Sequence, residues 1–245
     1  MHFTSEQRSE NGVIERAFSL DGIPGILWLP APVAAVSPVP LILLGHPGGL
    51  SQMHSRLAAR ARSSVALGFA AATIELPGSG ERLASPAAEQ ARTDLRQALA
   101  AGVRPSEEIV DRLILPLVDQ AVPEWQAALD ALQALPDLGG PVGFSGGVIA
   151  IATRLAVAEP RVVAAGLFAG SFVPRAIMEQ AREVTIPLHV LLQWDDAGND
   201  RQMALDLFDA FGSKEKSLYA NMGGHTGVPQ FAGEDAGRFF VRHLK

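Results

Sequence analysis

The sequence contains no cysteine, which excludes disulfides, thiolate metal sites and a cysteine nucleophile. Aromatic residues make up only 6% of the chain, so a folded core must consist mainly of aliphatic side chains and alanine. No segment approaches the ~20 consecutive apolar residues of a membrane-spanning helix, and the polar N-terminus lacks the apolar stretch of a secretory signal. These absences lead us to expect a cytoplasmic protein.

An excess of basic residues is missing as well. Lys and Arg number 20 against 26 Asp and Glu, which gives a formal net charge of −6. Because binding a phosphate backbone needs a basic surface, we expect no nucleic-acid partner. The 245 residues, 48% hydrophobic and 19% charged, exclude an intrinsically disordered chain and suffice for one α/β domain over residues 1–245.

Short apolar runs alternate with helical patterns along most of the chain. Asp21-Gly22 separates two strand-like runs, which predicts a tight hairpin. The predicted strands are Val13–Leu20, Ile23–Leu29, Val39–Leu44, Phe69–Leu76, Val142–Phe144, Val162–Ala169, Leu188–Trp194 and Ser217–Ala220. The predicted helices are Met53–Leu67, Pro123–Leu135, Gly146–Ala158, Gln202–Phe211 and Gln230–Leu244. This alternation predicts an α/β fold with a mostly parallel sheet covered by helices on both faces.

Residues 84–122 do not follow the alternation. Ile109, Leu113 and Leu117 are spaced four apart, as on one face of a helix. Prolines at 105, 116 and 123 are expected to interrupt such a helix. We predict that 84–122 forms a partial lid over the carboxyl ends of the strands, with residues 171–185 as a second contributor. Ordinary core packing of a helix explains the same three side chains equally well.

The sharpest motif is Gly143-Phe144-Ser145-Gly146-Gly147, which fits G-x-S-x-G between a predicted strand and a predicted helix. In this setting the serine occupies a strained turn, and glycine neighbours allow backbones to pass closely. The amides at the start of the following helix can then stabilise an oxyanion. A glycine-rich turn with an incidental serine is the alternative. We predict that Ser145 is a nucleophile.

A serine hydroxyl needs a general base to act as a nucleophile at neutral pH. His225 lies in a glycine-rich loop, residues 222–227, between the last predicted strand and the last predicted helix. From there its imidazole can reach over the sheet edge, although a plain surface-loop position is the alternative. The other histidines receive structural roles: solvated surface for His2 and His243, cap or surface for His54, and a packed, hydrogen-bonded core position for His189.

A carboxylate must orient the base and stabilise its protonated form. In the fold in which G-x-S-x-G carries a nucleophile, the chain order is serine, acid, histidine. A predicted strand runs straight into Asp195-Asp196, with Asp200 four residues later. Periodicity does not separate Asp195 from Asp196. Capping of the next helix is the alternative role for these side chains.

Gly45-His46-Pro47-Gly48-Gly49 follows the first buried strand and occupies the place of an oxyanion loop. Pro47 has no N–H, so the donor is expected to be Gly48 or Gly49, together with the N–H of Gly146. We expect His46 to organise this loop.

These motifs together resemble the α/β-hydrolase superfamily, in particular its dienelactone-hydrolase-like branch of small carboxylic-ester hydrolases. The resemblance covers nearly the whole chain, through Leu41–His46, Leu76–Arg82, the Ser145 motif and Gly223-Gly224-His225. Three features depart from it: serine replaces the cysteine of dienelactone hydrolases proper, the oxyanion loop reads His-Pro-Gly-Gly, and Glu75 replaces an aspartate.

The resemblance implies a triad of Ser145, Asp196 and His225, with Asp195 as second choice for the acid and Gly48 and Gly146 as oxyanion donors. Asp196 is preferred because aligning backward from the stretch Asp206–Phe211 of the predicted helix puts the family's acid there. The implied reaction is hydrolysis of a small to medium carboxylic ester or thioester through an acyl-enzyme, without metal or organic cofactor. Acyl transfer, C–C bond hydrolysis and a non-catalytic binding role are the alternatives, and the oligomeric state stays open.

Overall fold

A computed structural model describes residues 1–9, 12–31, 38–170 and 172–245. The strands are β1 (His2–Arg8), β2 (Val13–Leu20), β3 (Ile23–Pro30), β4 (Val39–Gly45), β5 (Ala70–Ile74), β6 (Leu138–Gly146), β7 (Val162–Phe168), β8 (Leu188–Gln193) and β9 (Lys216–Asn221). The helices are α1 (Leu50–Ala66), α2 (Pro86–Ala100), α3 (Glu107–Gln133), α4 (Ile149–Ala158), α5 (Arg175–Ala181), α6 (Arg201–Ala210) and α7 (Gln230–Leu244). Part of the segment between the predicted strands Ile23–Leu29 and Val39–Leu44, and Ser171 in the second predicted lid segment, lie outside these residues.

Within the described residues the strands form one nine-stranded sheet in the order β1-β2-β3-β5-β4-β6-β7-β8-β9. The first three strands are antiparallel, and β3 is antiparallel to β5. The pairs from β5 through β4 and β6 to β9 are all parallel. This confirms the predicted α/β architecture with a mostly parallel sheet.

The predicted hairpin joins β2 and β3, whose register pairs Leu20 with Ile23. Asp21 and Gly22 both adopt positive φ, 49° and 84°, as a two-residue turn between right-twisting strands requires. The strand β1 was not predicted. All its side chains are exposed, so it carries no burial pattern that a sequence-based analysis would detect.

The helices cover both faces of the sheet, and each face has its own apolar core. One core packs α1 and α7 on the sheet, through side chains such as Leu57, Phe239 and Phe240. The other core packs α3, α4, α5 and α6 on the opposite face, around Trp125, Phe144 and Leu155. In the described parts of the chain, no helix is both long and apolar enough to cross a membrane.

The prediction that prolines break the 84–122 segment into pieces was wrong for its second half. The helix α3 runs without interruption through Pro116 and Pro123. Each proline removes one backbone hydrogen bond, but a buried stripe offsets this cost. The stripe holds the helix on the sheet along its whole length, with Val110, Ile114, Val118, Trp125, Leu129 and Leu132.

Candidate active site

Parallel strands end at a common edge of the sheet. Three loops and the end of one strand bring the predicted site residues together there. The loop after β4 contains His46 and Gly48, the end of β6 contains Ser145, and the loops after β8 and β9 contain Asp196 and His225. Ligands of open α/β sheets bind at this carboxyl edge. The predicted site residues therefore lie on one side of the molecule.

Asp196 and His225 form a hydrogen-bonded pair, with 2.7 Å between Asp196 Oδ2 and His225 Nδ1. The aspartate is buried and also accepts hydrogen bonds from the Gly198 amide at 3.0 Å and from Asn199 Nδ2 at 2.7 Å. An acceptor at Nδ1 places the proton of a neutral imidazole there and leaves the Nε2 lone pair free for a proton. The pair thus has the tautomer of a general base.

Asp195 has a different role from its neighbour. Its carboxylate accepts from the amide of Gly223 at 2.9 and 3.1 Å and from that of Gly224 at 2.9 Å. These bonds, led by the one from Gly224, hold the pKa of Asp195 below its ordinary value. Gln193 Nε2 donates to the Gly224 carbonyl at 2.8 Å. Asp195 therefore anchors the loop that carries His225, whereas Asp196 contacts the imidazole itself.

Ser145 does not occupy the turn that the sequence predicted for it. It is a residue of β6, paired with Leu44 on one side and Gly166 on the other. Among described residues other than glycine, only Asp21 has a positive φ. The turn consists instead of Gly146 and Gly147, with φ of 74° and 76°.

The helix predicted to start at Gly146 also begins later. Gly146 is the last residue of β6, and α4 starts at Ile149 after the N-cap residue Val148. The reason is conformational: two successive residues in the left-handed region cannot be part of a right-handed helix. The Gly146 amide therefore belongs to the turn and not to the first turn of α4.

Close backbone contact explains why glycine, and not serine, occupies the turn. A Cβ on Gly147 would lie 2.7 Å from Gly45 Cα and 2.9 Å from Gly45 C. A Cβ on Gly45 would in turn lie 2.9 Å from Gly147 Cα. Because such distances are well below van der Waals contact, β4 and the turn after β6 can approach each other only without side chains.

The Ser145 side chain lies on the sheet face that α1 and α7 cover. Side chains two apart on a strand share a face, and a Cβ on Gly143 would contact Phe240 and Leu244 of α7. Ser145 Oγ accepts a hydrogen bond of 3.1 Å from Nη2 of Arg60 on α1. The hydroxyl is half-buried, near the end of the strand.

His225 approaches the same face from the edge of the sheet. Its ring packs edge-on against Phe168, with centroids 5.7 Å apart and 75° between the planes. Phe168 lies two residues beyond Gly166, the strand partner of Ser145. Strands ~4.8 Å apart with a rise of ~3.3 Å per residue put the Cα atoms of Ser145 and Phe168 about 8 Å apart. Among the described residues, no hydrogen bond joins Ser145 to His225. The His225 side chain is 66% exposed.

The sequence analysis missed Arg60, which contacts Ser145 directly. Its Nη1 donates to the Gly45 carbonyl at 2.8 Å, and its Nη2 donates to both the carbonyl and the hydroxyl oxygen of Ser145. Burial lowers the pKa of this guanidinium to about 10. The available signal was its spacing on α1, three residues after Leu57 and on the same buried face.

The loop after β4 is held by two side chains. The buried ring of His46 bridges it, with Nδ1 2.5 Å from the Gly48 carbonyl and Nε2 2.9 Å from that of Ile74, and burial lowers the pKa of His46. This arrangement agrees with the expected loop-organising role. The buried Glu75 carboxylate accepts the Leu50 amide at 3.0 and 3.1 Å, which caps α1. The loop that contains Gly48 is thereby tied to β5 and α1.

The remaining histidines fit their predicted roles in part. His2 is exposed, and His54 Nε2 contacts Glu15 Oε1 at 2.9 Å on the flank of α1. His189 packs between Tyr219 and Phe239 as predicted. Its buried Nε2 has no hydrogen-bond partner within the described part of the chain, so the predicted hydrogen bonding is not found at that atom. The surface prediction for His243 was also wrong, since its side chain is only 13% exposed and packs on Phe239.

The segment predicted as a lid contains α2 and the first half of α3. Leu113 and Leu117 pack beside the core as partly buried side chains, next to the buried stripe of α3. Between the two helices, Arg104 Nη1 lies 3.3 Å from Asp200 Oδ2 in the loop that follows Asp196. The turn between α2 and α3 thus contacts the loop between β8 and α6, which contains Asp196. In the part of the chain that is described, no group of three or more His, Asp and Glu side chains could hold a metal ion.

Comparison with known proteins gives structural relatives only. No protein-family model and no curated protein sequence matches the chain. The native structure of a cold-adapted esterase from an Arctic intertidal metagenomic library is similar over 100% of both chains, with a TM-score of 0.72 and 27% identity. Acetyl xylan esterase 1 from a Thermoanaerobacterium species matches with a TM-score of 0.63 and 12% identity, covering 97% of this chain and 87% of that one.

A third similar structure is the ferulic-acid-bound Est1E from Butyrivibrio proteoclasticus, with a TM-score of 0.64, 12% identity and coverage of 93% and 98%. At 12% identity the last two show the fold alone. The sheet order and the likeness to the esterase of 27% identity show that the chain has the α/β-hydrolase fold. The resemblance seen in the sequence is confirmed at this level.

Proposed function

We propose that the protein is a serine hydrolase that cleaves carboxylic esters of small molecules through an acyl-enzyme, with Ser145 as nucleophile, His225 as general base and Asp196 as the acid. The observation that carries this proposal is the Asp196–His225 hydrogen bond of 2.7 Å at the carboxyl edge of the sheet. A full-length structural relative at 27% identity is an esterase, which supports the reaction class.

In the proposed reaction, Ser145 Oγ attacks the ester carbonyl carbon while His225 Nε2 accepts the hydroxyl proton. Asp196 stabilises the resulting imidazolium through Nδ1. The tetrahedral intermediate collapses, and His225 returns the proton to the departing alcohol oxygen. Water then attacks the acyl-serine with the same base, which releases the acid and restores Ser145.

The oxyanion that forms in each step needs amide donors close by. We assign this role to the amides of Gly48 and Gly146, with Gly49 as the alternative on the first loop. Gly146 is paired in register with Gly45, so the loop with Gly48 and the turn after β6 start from neighbouring strand ends. His46 and Glu75 fix the first of these loops.

The proposal requires His225 to approach Ser145 when substrate binds. Hydrogen bonds of catalytic groups often form only in the substrate complex, and the His225 loop has the means to adjust. Gly223 and Gly224 precede the histidine with φ of 125° and 64°, in a region that glycine adopts readily. Asp195 holds the amides of Gly223 and Gly224, so the proposal confines the movement to His225 and the residues that follow it.

The substrate class follows from charge and surroundings. A net charge of −6 disfavours polyanionic partners, and we propose that the substrate is a small-molecule ester or thioester. We further propose that the protein acts in the cytoplasm and that residues 84–122 form a partial lid over the site. Acyl transfer and C–C bond hydrolysis would use the same three residues. Turnover of oxygen esters against matched thioesters and 1,3-diketones separates these reactions.

Steady-state hydrolysis of a series of p-nitrophenyl esters tests the proposal. We expect Ser145→Ala to lower kcat by about 10³-fold or more, while Ser79→Ala, a serine in another glycine-rich loop (residues 77–80), stays at the wild-type rate. Full activity of Ser145→Ala on a substrate that the wild type hydrolyses would overturn the assignment of the nucleophile.

One observation favours a second function, ligand binding without turnover. The turn that in this fold presents the nucleophile consists of Gly146 and Gly147 and has no side chain. Calorimetric binding of esters that remain intact, with no product from wild type or Ser145→Ala, would support this second function.

A further inference from the structure

We propose that Arg60 is a positioning residue for Ser145: its guanidinium orients the Ser145 hydroxyl and favours the transfer of its proton during catalysis. This inference rests on the proposed function and deepens it. It starts from the hydrogen bond of 3.1 Å in which Arg60 Nη2 donates to Ser145 Oγ.

The need for such a residue follows from the backbone of Ser145. A nucleophile on a positive-φ turn is presented by the strain of the turn itself. Ser145 is instead an ordinary residue of β6, and φ turns positive only at Gly146. Its hydroxyl orientation must therefore come from a side-chain contact, and Arg60 supplies one.

The direction of the hydrogen bond has a chemical consequence. A serine hydroxyl has one proton and two lone pairs, and a guanidinium can only donate. Because Arg60 occupies a lone pair of Oγ, the hydroxyl proton points away from the guanidinium and stays available to a base. As that proton leaves, negative charge develops on Oγ, and the bond from the cationic Arg60 strengthens because its acceptor is now charged as well.

The surroundings keep Arg60 in place and its charge available. Its other contacts are the carbonyl oxygens of Gly45 and Ser145, and the ion pairs found among the described residues include none with Arg60. A Cβ on Gly146 would lie 2.7 Å from Arg60 Nη2, so the glycine leaves room for the guanidinium. An unneutralised cation next to Oγ stabilises an anion formed there.

The experiment compares substitutions of two arginines of α1, Arg60 and Arg56. We expect Arg60→Met to lower kcat for a p-nitrophenyl ester about 10- to 100-fold, the effect of one charge-assisted hydrogen bond, with KM within about twofold because the contact strengthens only as charge develops. Arg60→Lys keeps the charge and should recover part of kcat. Arg56→Met, which removes an exposed arginine one turn earlier on α1, should leave kcat unchanged.

A double-mutant cycle separates positioning from a merely structural role. If Arg60 acts through Ser145, Arg60→Met should not reduce the residual rate of Ser145→Ala any further. Equal effects in both backgrounds, an unchanged kcat in folded Arg60→Met, or a change in KM alone would overturn the inference. Full activity of Ser145→Ala would instead refute the proposed nucleophile, so the two failures are distinguishable.

Discussion

Gly147→Ala should be strongly destabilising, because two separate costs act at this turn. The residue has a φ of 76°, and a left-handed conformation costs a side-chain-bearing residue about 1–2 kcal/mol. The new Cβ would also lie 2.7 Å from Gly45 Cα, and relieving such overpacking costs about 1–3 kcal/mol. The sum predicts a loss of about 3 kcal/mol in the free energy of unfolding.

Gly140→Ala is the matched control, because Gly140 has a φ of 81° but nothing within 4 Å of its Cβ position. The free energy of unfolding of Gly140→Ala should fall only by the cost of the left-handed backbone conformation. The effect of alanine on the entropy of the unfolded chain is the same in both variants. The two variants differ by the overpacking cost of about 1–3 kcal/mol. At about 2–4 °C per kcal/mol for a chain of this size, thermal unfolding should place the Tm of Gly147→Ala about 2–12 °C below that of Gly140→Ala. Equal Tm values would refute the close approach of β4 and the turn after β6.

Three further predictions follow from contacts near the site. Asp196→Asn should lower kcat about 10³- to 10⁴-fold, because the amide has no negative charge for the imidazolium and its NH2 group favours the wrong tautomer of His225. Asp195→Asn keeps an oxygen that can accept from the Gly223 and Gly224 amides and should lower kcat far less; equal kcat losses would contradict the division of roles. Arg82 donates two hydrogen bonds to Glu124, of 2.7 and 2.6 Å, and its side chain is only 16% exposed. Urea unfolding of Arg82→Met should therefore show a free energy of unfolding lower by about 2 kcal/mol. For the exposed Arg112→Met the decrease should be less than about 1 kcal/mol. Because the pKa of Asp195 is lowered by its amide donors, led by Gly224, its anchoring bonds persist at neutral pH and are lost only as the pH falls through that lowered pKa. The side-chain carboxyl ¹³C NMR signal of Asp195 should therefore titrate below the ordinary range of an aspartate, and titration within or above that range would contradict this.

Much of the fold was predictable because burial leaves a pattern. The strands β4, β5, β7 and β8 are mostly apolar and largely buried, whereas β6 is continuously buried only over the predicted Val142–Phe144. The helix α7 was predicted with its observed bounds from an amphipathic period. Asp196 and His225 lie together as expected, since residues after parallel strands meet at one edge. The strand β1 was not predicted because it buries no side chain. The continuity of α3 was not predicted because local rules for proline contain no information on tertiary packing.

The position of Ser145 shows a different limit. The G-x-S-x-G spacing predicts which residues are small, but the place where the backbone turns depends on Gly45 and Gly147 approaching each other across two strands. The Arg60 contact likewise joins residues 85 positions apart. A single sequence contains neither distance.

The intact mass of the wild type and of Ser145→Ala after exposure to a fluorophosphonate probe tests the central claim most directly. The account predicts one covalent adduct on the wild type, none on Ser145→Ala, and a much slower reaction for His225→Ala. An adduct on Ser145→Ala, or none on a wild-type enzyme that hydrolyses esters, would contradict Ser145 as the nucleophile.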